Sequence, residues 1–284
     1  MKPFVIMRSH NDMPVISETL LKLSEQSLPF ELLCLDNEST DGTVDELKKY
    51  SSRIVNIPRG TYIPGRVLNL GMELSSGPHV VFLNSDCTPQ NRDWLEKLLL
   101  GFGENPKIAA VFGRQIPRPD CKPLFAKDTE DTYGDGNRQK CWKHCFSMAS
   151  SAISRSVWEE SRFDENLKYS EDIDWTWRAR QRGYLIKYVP DSIVMHSHNY
   201  TLKQFHKRHC GEGRAEAAIF EWSSWETSFL RYSLAPFARQ ILSDWKYCMK
   251  NGLIMGALSS PVIRLSQLLG RRKGFKEGLR EKTQ

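Results

Sequence analysis

The chain has 284 residues, with 40 Lys and Arg against 34 Asp and Glu for a net charge of +6, and it is 40% hydrophobic and 11% aromatic. That composition supports a sizeable core and excludes a disordered, collagen-like or coiled-coil chain, while no apolar stretch approaches the ~20 residues of a membrane-spanning helix. Residues 245–284 carry a net +7 and the rest a net −1, so a basic tail follows a near-neutral body, which argues against a nucleic-acid protein with a broad cationic face.

The opening MKPFVIM has one positive residue, Lys2, ahead of a four-residue apolar run. It does not read as a secretory signal, and the expected location is the cytoplasmic side. Short β-branched or apolar runs then alternate with helical stretches. Strands are predicted at Phe4–Met7, Phe30–Leu35, Arg53–Ile57, His79–Leu83 and Ile108–Phe112, with helices at Pro14–Ser27, Thr43–Tyr50, Arg66–Ser75 and Asp93–Phe102. Strands separated by helices of about a dozen residues indicate βαβ units and a mostly parallel sheet. Residues 115–140, with three prolines, two glycines and many charges, read as a long surface segment. Regular structure resumes at 146–160, followed by a helix at Ile173–Arg182 and strand-like pieces at Tyr184–Val189 and Ile193–Met195. From Leu202 the pattern is helical, with breaks expected at Pro236 and at Ser259-Ser260-Pro261.

Seven scattered cysteines make an odd count that does not suit a disulfide framework. Cys141, His144 and Cys145 cluster but lack a four-ligand set, so free thiols near a loop are expected there.

Polar residues gather where strands end: Ser9, His10 and Asn11 after the first, Asp36 and Asn37 after the second, Asn84, Ser85 and Asp86 after the fourth. Three such clusters describe one crevice at the carboxyl ends of an open α/β sheet, although Asp, Asn and Ser also cap helices in general. No G-x-G-x-x-G, G-K-[ST], G-x-S-x-G or H-E-x-x-H accompanies them, which removes the usual dehydrogenases, P-loop kinases, α/β-hydrolases and zinc peptidases. An acidic pair, Glu171-Asp172, opens the helix IDWTWRARQRG, and Met195-His196-Ser197-His198 follows. A strand-end carboxylate joined by an imidazole can hold Mn²⁺ or Mg²⁺, with two diphosphate oxygens completing the shell. The competing readings are a cap for Asp86, a packed histidine for His196, and a charge pair favoured by the helix dipole for Glu171-Asp172.

Five segments in order, IMRSHND (6–12), LCLDNESTDGT (33–43), YIPGRVLNLGMELSSG (62–77), FLNSDCTPQNRDWLEKLL (82–99) and EDIDWTWRARQRG (171–183), resemble the inverting, nucleotide-sugar-dependent glycosyltransferases called family 2, which have the GT-A fold. FGRQIPRP (112–119), the stretch 147–175, VMHSHNYTLKQFHKR (194–208) and the stretch 244–270 are similar to rhamnosyltransferase-type members that build bacterial surface polysaccharides.

The resemblance implies a GT-A-like α/β catalytic domain over residues 1–200 and a helical C-terminal extension over 201–284. It implies that Ser9 and Asn11 line the nucleotide pocket, that Asp36 meets the base or ribose with Ser39 and Asp41 shaping the turn beneath, and that Arg66 and Asn69 lie near the ribose and diphosphate. Asn84-Ser85-Asp86 stands where the family has its D-x-D metal motif, leaving Asp86 as the carboxylate for Mn²⁺ or Mg²⁺. His196 is the implied late ligand and His198 its rival. Asp172 is the implied general base, with Glu171 beside it.

Trp175, three residues from Asp172, shares its helix face and could stack under an acceptor sugar. Arg178 reads either as an acceptor contact or as surface. Trp222, Trp225, Phe229 and Tyr232 recur at helical spacing and read as packing. Apolar residues at 253–258 and 262–269 among basic ones resemble an interfacial helix pair whose cations face anionic lipid. The expected activity is transfer of a sugar, L-rhamnose from dTDP-rhamnose first, to a saccharide on a lipid carrier at the inner face of the cytoplasmic membrane. A UDP-linked hexose or N-acetylhexosamine donor, a sugar nucleotidyltransferase and a non-catalytic glycan-binding relative are the alternatives.

Overall fold

A computed structural model describes residues 2–137, 139, 144–223 and 225–282. The chain forms two compact units. The first comprises Met1–Arg118, Thr129–Leu167 and Glu171–Ser197; the second comprises Pro119–Asp128, Lys168–Ser170 and His198–Gln284.

The first unit is built on an eight-stranded sheet. In chain order its strands are β1 (Phe4–Ser9), β2 (Glu31–Asp36), β3 (Ile54–Asn56), β4 (His79–Asn84), β5 (Thr88–Pro89), β6 (Ile108–Ile116), β7 (Ser150–Ser154) and β8 (Leu185–Met195), arranged β3-β2-β1-β4-β7-β6-β8-β5. The helices α1 (Val15–Ser24), α2 (Thr43–Lys48), α3 (Pro64–Leu74), α4 (Trp94–Leu100), α6 (Arg155–Glu160) and α7 (Glu171–Gln181) belong to it, and α5 (Pro123–Tyr133) precedes β7. The sheet is a mixed one: β1 pairs in parallel with β2 and β4, β2 with β3 and β6 with β8, whereas β7 runs antiparallel to both β4 and β6, and β5 antiparallel to β8. The expected alternation therefore holds through β4 and yields to an antiparallel insertion. Fully buried runs look alike in either direction, so the sequence could not show the reversal.

Strand alternation gives the sheet two apolar faces. Phe4 and Ile6 of β1 join Val80 and Phe82 of β4 in one core, which also takes in Trp158, Phe163 and Trp175. Val5 and Met7 join Val81 and Leu83 in the other, with Leu20, Trp94 and Leu98. After β1 the chain moves outward through β2 and β3, then returns to place β4 on the other side of β1. The strand order reverses between β1 and β4, and open α/β sheets bind ligands at the carboxyl ends of the strands at such a reversal.

Two expectations between residues 115 and 195 change. Residues 115–140 begin with the end of β6 and contain α5, because Pro123 sits at the first position of a helix, where its missing N–H costs nothing. The two strand pieces at 184–195 are one strand, with a register shift against β6 between Gly113 and Arg114.

The second unit contains α8 (Leu202–Ile219), a π-helical turn at Phe229–Leu234, α9 (Ala235–Lys250) and α10 (Ile254–Lys282). Thr201 opens α8 with a reciprocal capping box to Gln204. The break expected at Ser259-Ser260-Pro261 is absent: the chain turns at 251–253, where Gly252 has φ +68°, and α10 runs through Pro261. Proline cannot donate to the carbonyl four residues earlier, and here the Trp245 indole N–H donates to that carbonyl, Ala257 O, at 3.0 Å.

Nor do all the tail cations face outward. Arg264 is buried and bonds Asp244 (Nε to Oδ2 2.7 Å, Nη2 to Oδ1 2.9 Å) and Asp128, with Lys127 3.2 Å from Asp244. Arg271 pairs with Glu216 on α8. A Cβ on Gly274 would stand 1.8 Å from the Cys210 carbonyl oxygen and one on Gly213 2.1 Å from that of Arg271, so α8 and α10 meet backbone to backbone. Of the aromatic stripe, Trp222 and Tyr232 pack with Phe275, while Trp225 and Phe229 are exposed.

Candidate active site

The loops after β1, β2 and β4 are tied to one another. Ser9 Oγ donates to Asp36 Oδ1 at 2.8 Å, a contact that follows from their register as neighbours on β1 and β2. Ser39 donates to both oxygens of the same carboxylate, from its hydroxyl at 2.6 Å and its N–H at 2.8 Å. Asn11, at φ +53°, receives the Thr40 N–H and gives its own N–H to Ser39 Oγ. Asp41 accepts from Thr43 and from Met13 N. Asp36 is 1% exposed with three donors on its carboxylate. The carboxylate thereby holds the turn in which Ser39 and Asp41 lie.

Beyond β4, Ser85 Oγ donates to Asp12, which also receives the His10 N–H at 2.8 Å. Arg118 fixes the next residue by donating to the main-chain oxygen of Asp86 at 2.7 Å and to Thr88 Oγ1 at 3.2 Å. The Asp86 carboxylate is thereby presented to His196, whose Nε2 lies 3.4 Å from Asp86 Oδ2. On the other side of the ring Nδ1 lies 2.7 Å from Gln115 Oε1. The Gln115 amide nitrogen lies 3.0 Å from Ser147 Oγ. An Nδ1–H donated to the Gln115 oxygen is the tautomer in which Nε2 offers a lone pair on the Asp86 side. A carboxylate and an outer-bonded imidazole at that separation suit Mn²⁺ or Mg²⁺.

Cys87 Sγ completes a group whose ligand atoms all lie within 4.8 Å of one another. Burial, reinforced by the charge of Asp86, raises the Cys87 thiol well above its ordinary value. A soft sulfur matches a hard cation less well than the carboxylate and imidazole beside it. His198 belongs to the second unit, with its ring 5.5 Å from that of Tyr200.

The acidic pair opens α7. Asp172 Oδ2 accepts the Met148 N–H at 3.1 Å and Oδ1 its neighbour's N–H, from Ile173, at 2.8 Å. Glu171 is buried, and its Oε1 stands 3.7 Å from Arg8 Nη1. Burial first, and then the charge of Asp172, pushes Glu171 up to about 7, with Arg8 opposing. Burial likewise raises Asp172, against the Met148 and Ile173 N–H groups and Arg8.

Three of the residues expected to contact ligand are bonded within the fold. Asn69 is buried, and its amide is spent on Phe163 O and Glu165 Oε1 as donor and on Trp158 Nε1 and the Phe163 N–H as acceptor, so it anchors a loop. Trp175 is 1% exposed, packs on Phe163 and donates to Ser161 O, which leaves no face for an acceptor sugar. Arg178 is taken up by Asp174, Ser161 and the Arg162 carbonyl. Arg66 is exposed, 3.5 Å from Glu165. In the Cys141 cluster, Cys141 lies outside the described residues; burial and the Arg180 charge hold His144 down to about 4, and burial pushes Cys145 up to about 12.

The model of the family described as "Glycosyl transferase family 2" matches residues 4–162. The chain belongs to family 2 of the glycosyltransferases. Among the curated relatives of this family-2 glycosyltransferase is the O-antigen chain rhamnosyltransferase WbaN of Salmonella anatum, 31% identical over 196 residues, 65% of this chain and 62% of that protein. The O-antigen chain rhamnosyltransferase RfbN of Salmonella typhimurium is 30% identical over 228 residues, 75% of this chain and 72% of that protein. The mannosyltransferase PcManGT from Pyrobaculum calidifontis, solved in complex with GDP-Man and Mn²⁺, shares the fold at a TM-score of 0.65 and 16% identity, covering 98% of this chain and 88% of that one.

Four residues of the site escaped sequence reasoning: Arg8, Asp12, Gln115 and Arg118. Arg8 had a legible signal. It continues the alternation Phe4, Ile6, Arg8 on a buried strand face, and a charge in that position demands partners.

Proposed function

We propose that this glycosyltransferase moves a sugar from a nucleoside diphosphate to a saccharide hydroxyl with inversion, and that L-rhamnose on dTDP is the donor. The observation that carries the reading is the arrangement at the strand ends, where the Asp86–His196 pair follows β4 and β8 and the Glu171–Asp172 pair is joined through Arg8 to Asn84. Asp172 is the base: two main-chain N–H groups orient it, and burial makes it a stronger proton acceptor than an exposed carboxylate. One displacement requires one such carboxylate, whereas a glycosidase needs a second to protonate its leaving group.

Asp86 and His196 would hold Mn²⁺ or Mg²⁺, which when bound supplies positive charge against the departing diphosphate. Ser9, Asn11, Ser39, Asp41 and Ser85 form the loops that would receive the nucleotide, Asn84 would face the diphosphate, and the exposed Arg66 is available to it. The names of the two Salmonella relatives support rhamnose and a surface-polysaccharide acceptor.

A lipid-linked acceptor at the inner membrane face is supported by the second unit. Met249, Ile254, Met255, Leu258 and Val262 are exposed along α9, the turn and α10, and Lys246 and Lys250 are exposed beside them. No helix among the described residues is long and apolar enough to cross a membrane, so the contact would be interfacial. Incubating the full chain with dTDP-rhamnose, UDP-glucose, UDP-N-acetylglucosamine and GDP-mannose, with and without Mn²⁺, on a lipid-linked saccharide pool tests the reading. Mass spectrometry identifies the added sugar and NMR its anomeric configuration. Transfer from a UDP-sugar with none from dTDP-rhamnose discards the donor, and a retained configuration discards the single displacement.

A further inference from the structure

Arg8 and Asn84 are register partners on β1 and β4, and both continue the strand face that packs toward Trp175 of α7. Strand parity thus aims a guanidinium and an amide at the first turn of α7, where Glu171 stands. Arg8 Nη2 donates to Asn84 Oδ1 at 2.8 Å, and Nη1 stands 3.7 Å from Glu171 Oε1. The Arg8 side chain is only 13% exposed, so its charge acts where water screens it little.

We propose that Arg8 is a positioning residue of the transfer reaction: its guanidinium clamps the Asn84 amide to the Glu171 carboxylate and keeps the acid pair negatively charged, so that Asp172 can take the acceptor's proton. The inference rests on Asp172 being the base. It also gives a physical reason for an asparagine at position 84. With Oδ1 committed to Arg8, the Asn84 amide nitrogen is left to donate toward a ligand, whereas an aspartate there would pair with Arg8 and draw it from Glu171. Among the described residues the titratable and charged groups around the pair are Arg8 from β1 and Cys145 from the segment before β7, and Tyr62 and Cys87 face Arg8. Arg8 is the cation of this set, and it opposes the burial that raises both carboxylates.

The test is the pH dependence of kcat/KM from about pH 5 to about pH 9 for wild type, Arg8→Met, Arg8→Lys and Asn84→Asp. Arg8→Met is expected to move the acidic limb upward by about one unit while donor KM stays within about threefold. Arg8→Lys restores part of the shift, and Asn84→Asp moves the limb in the same direction as Arg8→Met. An unmoved limb with kcat lowered evenly at every pH overturns the proposal and leaves Arg8 as packing. If Arg8→Met does not fold, Arg8→Lys and Asn84→Asp decide by the same limb.

Asp172→Asn run in parallel separates the two readings, since turnover near wild type there removes the base and not the clamp. The clamp then stands or falls on thermal unfolding against pH. Glu171 is raised from 4.5 to about 7 in the folded chain, so the stability tied to its protonated form is complete below 4.5 and is lost as pH rises through about 7. Loss of the Arg8 charge must deepen that fall and carry it to higher pH; identical profiles for wild type and Arg8→Met refute the clamp.

Discussion

Gln115→Leu is the substitution that most directly probes how the cation site is built. Gln115 is buried, and its Oε1 lies 2.7 Å from His196 Nδ1, on the side of the ring away from Asp86. Without that partner the imidazole loses the contact that holds its ring orientation. Outer hydrogen bonds of this kind govern about 10–100-fold in metal affinity, or about 1.4–2.7 kcal/mol. The variant also deprives Ser147 Oγ of the Gln115 amide at 3.0 Å, a change of about 1 kcal/mol in stability and a fall of roughly 2–4 °C in Tm. Affinity and stability must therefore be read separately. Mn²⁺ binding is titrated calorimetrically in the presence of nucleoside diphosphate, and Tm is measured without either. Gln115→Glu keeps an acceptor at the same place and should bind Mn²⁺ within about threefold of wild type or more tightly. Wild-type Mn²⁺ affinity in Gln115→Leu refutes the reasoning. Equal losses in both variants trace the effect to packing and not to the acceptor.

Asp172→Asn is expected to lower turnover by ~10²–10⁴-fold with donor affinity intact, as read by single-turnover kinetics and donor titration. Arg264→Ala strands the buried Asp244 carboxylate with Lys127 and Ser260; breaking such a pair costs about 3–5 kcal/mol, visible as a clear drop in the unfolding midpoint. Met255→Asp with Leu258→Asp should lower co-sedimentation with anionic vesicles at low salt and leave transfer to a short soluble acceptor unchanged, because both side chains are exposed and far along the chain from the strand-end loops. Equal sedimentation of variant and wild type removes the membrane role from this turn. Point variants serve better than a truncation near Ser260, which would take away Arg264 and the glycines that seat α10 on α8.

Much of the first unit was legible because its signals are local. Alternating apolar runs, turn residues and glycine stops placed β1 to β4 and α1 to α4 within a few residues, and the acidic and amide clusters fell at strand ends as a parallel sheet requires. The direction of β7 was not legible, since a strand buried on both faces carries no mark of its partner's orientation. Pro261 misled for a related reason. The donor that replaces its missing N–H, Trp245, comes from a different helix, so nothing near the proline announces it.

The sequence by itself determined which residue types were available for chemistry: Asp86, His196, Glu171 and Asp172, set at the ends of elements that local patterning defines. Tertiary structure decided which of the remaining polar residues are spent on the fold. Asn69, Trp175 and Arg178 carry groups that bind ligands in many proteins, yet here their donors and faces are taken up by partners 12 to 96 positions away along the chain, apart from the Arg178–Asp174 pair. Arg8 comes beside Asn84 through the pairing of β1 with β4 and reaches Glu171 on α7, and Gln115 comes beside His196 through the pairing of β6 with β8. Hydrogen-bonding capacity is a property of a side chain, but whether any of it is left for a ligand depends on contacts that close across the sheet.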